Sequence, residues 1–64
     1  MQSSLHAKLR AFENYKKMPD GLIHAFQYNV DFDSFTLCKF TADGLLNEIQ
    51  DGLEYHEVKY VEEV

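Results

Sequence analysis

A single cysteine, Cys38, in a chain of 64 residues sets the first constraint: no disulfide can close within the chain, so packing or a partner must hold the fold. A domain this short buries only about 60% of the surface its unfolded chain exposes, and such a core rarely supplies more than roughly 3–5 kcal/mol. A closed zinc site would need about four ligands at close paired spacings, and His6, His24, His56 and Cys38 are too scattered to supply them. Self-association or a partner is the remaining staple, so a homo-oligomer is expected. Hydrophobic residues make up 45% of the chain and aromatics 14%, a globular composition despite a net charge of −5, and residues 1–64 are read as one domain.

Charge divides the sequence in two. Residues 1–18 carry Lys8, Arg10, Lys16 and Lys17 against Glu13 alone, while the remainder sets Lys39 and Lys59 against all the other acids. A basic segment beside an acidic body can dock on that body or on another copy of it. No apolar run approaches the roughly 20 residues that cross a bilayer, and the first residues lack the apolar stretch of a secretory signal. With the lone Cys38, these features predict a reducing, cytoplasmic location.

The periodicity predicts five elements. Leu5, Leu9, Phe12 and Tyr15 recur at helical intervals from Ser4 to Met18, with Ser3 or Ser4 as cap, Pro19 as stop and Asp20-Gly21 as turn. Leu22 to Val30 alternates, with Leu22, His24, Phe26, Tyr28 and Val30 on one side, and is read as a strand. Asp31-Phe32-Asp33-Ser34 forms a turn into a second strand, Phe35 to Phe40, whose two faces are both partly apolar, as in a strand covered on both sides. Thr41 caps a second helix with Ala42, Leu45, Leu46 and Ile49 on its stripe, ending at Gly52, with Gly44 inside at a cost of about 1 kcal/mol. Leu53 to Val64 reads as a third strand with a bulge near Glu57, and a helical reading through Leu53, Tyr60, Val61 and Val64 stays open beside it. The order helix-strand-strand-helix-strand makes a small two-layer α+β domain, an antiparallel hairpin plus a third strand with both helices packed on one face.

Chemistry-bearing groups are sparse. His24 falls on the more apolar strand face and is read as a buried histidine bonded to a neighbour, and Cys38 as core. Asp31-Phe32-Asp33-Ser34 begins like a calcium loop, but Thr36 stands where the turn glycine is required and Ala42 where the bidentate glutamate should be. Gly21, Gly44 and Gly52 are too far apart to cradle a phosphate. The basic first segment suits a nucleic-acid backbone poorly because the whole chain is acidic, and its short stripe without tryptophan suits a membrane surface less. No catalytic residue, cofactor site or metal site is assigned.

What remains is the terminal run. Tyr55 and Tyr60 lie among Glu57, Glu62 and Glu63, the pattern of an edge strand whose tyrosines anchor a partner and whose carboxylates steer it. The chain is therefore expected to be a non-enzymatic protein–protein interaction module, a small regulator or inhibitor acting on a larger protein of unknown identity. Two other classes stay open: an acidic nucleic-acid mimic that blocks a DNA- or RNA-binding protein, and a small-ligand-binding homo-oligomer.

Overall fold

The structure, a computed structural model, describes Phe12 and residues 14–62. Among these residues, β1 (Asn14–Lys17), β2 (Ile23–Asn29), β3 (Ser34–Phe40) and β4 (Leu46–Leu53) form one antiparallel sheet in chain order. A short helix, α1 (Tyr55–Val58), and a 3-10 turn, Lys59–Val61, follow.

The central hairpin agrees with the alternation in the sequence. β2 pairs with β3 from Ile23↔Phe40 to Asn29↔Ser34. The connecting loop closes with the Phe32 amide donating to the Asn29 carbonyl at 3.2 Å, and Asp33 takes a left-handed φ of 49°, which Asp tolerates better than most residues. In β3 the consecutive residues Thr36, Leu37 and Cys38 are all buried, because this interior strand is covered on both faces. On one face Ala25, Cys38 and Phe40 pack with Phe12 and Ile23; on the other Phe26, Leu37, Val58 and Val61 pack with Phe35, Leu53 and Tyr60.

Elsewhere, among the described residues, the expected α+β order gives way to four strands followed by one short helix. Of the helix expected over Ser4–Met18, Leu5 and Leu9 lie outside the described residues, and Asn14–Lys17 is strand, paired with β2 from Asn14↔Phe26 to Lys17↔Ile23. The Pro19-Asp20-Gly21 turn is the cause. Met18 and Leu22 are joined by a 2.9 Å backbone hydrogen bond, and Gly21 donates to Met18 at 3.0 Å, so the chain doubles back and lays residues 14–17 along the free edge of β2. Pairing there satisfies backbone groups of both strands. Phe12, expected on the helix stripe, meets Phe40 edge to face at 5.8 Å between ring centroids.

The second expected helix is also a strand. Gly44 sits at φ 91° in a tight turn whose ends are tied by the Thr41 amide and the Leu45 carbonyl at 2.9 Å, and the chain returns as β4 along β3. Two irregularities bend β4: Asn47 is an extra residue between the pairs Lys39↔Glu48 and Phe40↔Leu46, and Asp51 and Gly52 together oppose Thr36. Gly52, expected to end a helix, belongs to this second bulge, at φ 69°.

The third expected strand is helical over Tyr55–Val61, the alternative left open by the sequence. Glu54 and Glu57 form a capping box, the Glu57 carboxylate accepting from the Glu54 amide at 2.9 Å. The slip of alternation attributed to a bulge at Glu57 is this helix start, which turns Val58 and Val61, three residues apart, onto the sheet. No helix among the described residues is long and apolar enough to cross a membrane.

Candidate functional site

Hairpin register sets the first two walls of an aromatic cavity. Tyr28 and Phe35 are directly paired across β2 and β3, with ring centroids 5.1 Å apart. Phe26, two residues along β2 on the same face, meets Phe35 edge to face at 5.6 Å. The helix supplies the third wall: Tyr55 at the first position of α1 brings its ring to 5.8 Å from Phe35. Seven residues on, two helical turns later, Glu62 accepts a 2.6 Å hydrogen bond from the Tyr55 hydroxyl. With Asn14 from β1, these residues line a cavity of about 340 Å³.

Its electrostatics have one sign. Aromatic rings present negative faces, and the Glu62 carboxylate stands at the same cavity. On the outer side the Tyr28 hydroxyl donates to the Asp33 carboxylate at 2.7 Å, and this bond raises the tyrosine pKa by holding its proton. Aromatic faces beside a carboxylate favour a cation with an apolar stem.

The structure divides the residues expected to bind a partner. Tyr55 and Glu62 meet at this cavity, but on a helical segment rather than on an edge strand. Tyr60 turns to the sheet, its hydroxyl 2.6 Å from His24 Nδ1, and burial raises its pKa, with the charges of Asp20 and Glu48 adding to the effect. Glu57 is occupied in the capping box, and Glu63 lies outside the described residues. Sequence reasoning missed Tyr28, Phe35, Phe26 and Asn14. A signal for the first two was present, since they stand at matching distances from the hairpin turn.

Several titratable groups outside this cavity are held in structural contacts. His24 is buried and bonded on both nitrogens, Nε2 to the Asp20 carboxylate at 2.9 Å and Nδ1 to Tyr60. Burial raises the Cys38 thiol pKa, the opposite of what activates a nucleophile. Glu54, His56 and Glu57 bring possible ligand atoms within 4.8 Å of one another on the exposed first turn of α1, where both carboxylates already serve the capping box. No protein-family model, curated protein or solved structure matches the chain.

Proposed function

We propose that this chain is a non-enzymatic protein-interaction module that docks on a basic partner by taking a lysine side chain into the Tyr28–Phe35–Tyr55 cavity. The observation that carries this reading is the 2.6 Å bond from Tyr55 to Glu62, which holds a carboxylate against a cavity walled by aromatic rings. The aliphatic stem of the lysine lies along Phe35 and Tyr55, and its ammonium meets the rings and Glu62. The chain's net charge of −5 adds attraction at a distance, which speeds the encounter with a basic surface. Acting as a small regulator or inhibitor, the module covers the partner's basic surface. A cytoplasmic location suits the free, buried Cys38.

The test is a residue-resolved NMR titration of the whole chain with an end-blocked Gly-Lys-Gly peptide and its norleucine counterpart, which has nearly the same shape and no charge. Saturable shifts at Tyr28, Phe35, Tyr55 and Glu62 with the lysine peptide alone are expected. Glu62→Gln, which keeps an acceptor for Tyr55, should weaken lysine binding by about two- to fivefold, the range of an exposed ion pair. Equal binding of the norleucine peptide, or shifts confined to other residues, would remove the basis of the reading.

A further inference from the structure

A second cavity, of about 580 Å³, lies at the same end of the sheet but on the face opposite α1, lined by Asn29, Phe32, Ser34, Thr36, Asp51 and Gly52. Three of its side chains form a directed chain. Asn29 Nδ2 donates to Thr36 Oγ1 at 2.7 Å, and Thr36 Oγ1 donates to Asp51 Oδ1 at 2.7 Å. The bulge at Asp51-Gly52 makes this possible by aiming the Asp51 carboxylate across at Thr36.

These bonds commit two donors and leave the Asp51 carboxylate with an oxygen to spare. The threonine proton and one amide proton are committed within the protein, leaving the second Asn29 amide proton and the Ser34 hydroxyl as donors, while the Asn29 carboxamide oxygen and the second Asp51 oxygen can only accept and Asp51 carries the one formal charge of the lining. No lysine or arginine lines the cavity among the described residues. Its complement is therefore a donor-rich group. Phe32 narrows the choice further: at the hairpin tip, held by the hydrogen bond from its backbone amide to the Asn29 backbone carbonyl and by the left-handed Asp33 after it, the ring is 81% exposed. A large apolar ring kept that exposed at the rim of an acidic cavity offers a flat stacking surface. A guanidinium is planar, stacks on aromatic faces, carries five donors and accepts nothing, whereas an ammonium is compact and does not stack.

We propose that this cleft is an arginine-binding site, with the guanidinium stacked on Phe32 and bonded to the Asp51 carboxylate and the Asn29 side-chain oxygen Oδ1. It lies on the opposite sheet face from the aromatic cavity and does not depend on the lysine reading.

The experiment is an NMR titration of the whole chain with N-acetyl-arginine methylamide, with the citrulline analogue as the neutral isostere. The arginine probe should give saturable shifts at Asn29, Phe32, Thr36 and Gly52, with the citrulline probe at least about fivefold weaker, as expected when a charge-assisted bond is lost. Phe32→Ala alters an exposed side chain outside the core, so it should leave the fold intact and weaken arginine binding by about two- to fivefold. Asp51→Asn should weaken it further. Absence of saturable shifts, equal response to citrulline, or an unchanged affinity in Phe32→Ala would each overturn the proposal. Shifts confined to Tyr28, Phe35, Tyr55 and Glu62 would overturn it while leaving the aromatic cavity as a cation site.

Discussion

His24 and Tyr60, 36 residues apart in the chain, meet edge to face at 5.7 Å between ring centroids and share a 2.6 Å hydrogen bond. This contact ties the final 3-10 turn to β2. The Asp20 carboxylate can only accept, so in the neutral ring Nε2 carries the proton and Nδ1 accepts from the Tyr60 hydroxyl.

Tyr60→Phe leaves His24 Nδ1 without its partner in a buried site while keeping the ring contact. A loss of about 1–3 kcal/mol in unfolding free energy is expected from urea denaturation. Lysine-peptide affinity of the folded variant should be unchanged, because Tyr60 does not line the aromatic cavity. Weakened binding at full stability would return Tyr60 to the role of a partner anchor.

Acid should loosen the same corner. The Asp20 pKa is lowered below 3.8, first by the hydrogen bond from the Leu22 amide and next by that with His24. A carboxyl with a depressed folded pKa contributes stability that is fully present above its unfolded value and is lost as pH falls through its folded value. The Asp20 contribution should therefore be constant at neutral pH and decline from about pH 3.8 downward. Melting temperatures of wild type and Asp20→Asn, measured from pH 7 to pH 2, should converge over that acidic range, and a constant gap throughout would contradict this assignment.

Gly44 offers a test of sign. In a helix, replacing it with Ala would stabilise the chain by about 1 kcal/mol. At φ 91° in the turn before β4, Ala is strained instead, and Gly44→Ala should destabilise by roughly 1–2 kcal/mol in thermal or urea unfolding. A stabilised variant would support the helix that the sequence spacing suggested.

That spacing shows why only part of the fold was legible. β2 could be read because its sequence alternates, and β3 because a short apolar, β-favouring run follows the strong turn chemistry of Asp31 to Ser34. β4 could not: Leu45, Leu46 and Ile49 are helically spaced, and this edge strand with two bulges and exposed apolar residues never shows a period of two. Tyr15 fits a helix stripe as well as it fits β1, and hairpin pairing with β2 across the Pro19-Asp20-Gly21 turn decided between them. At the other end, Val58 and Val61 carry a helical interval, but the cap is Glu54, a residue type that does not announce a helix start. The candidate site was half legible for the same reason. Tyr55 and Glu62 stood out by type, while the partnership of Tyr28 and Phe35 exists only once the hairpin closes.

The bulges of β4 bear on how this protein behaves when crowded with its own kind. Between them only Glu48, Ile49 and Gln50 keep unbroken register with β3. A foreign strand laid along the outer side would meet a bent rail after three residues, and an identical run placed antiparallel with Ile49 opposite Gln50 would set Glu48 against Asp51. Such an edge is a poor template for sheet growth from molecule to molecule, even though Leu46 and Ile49 are each about half exposed on it.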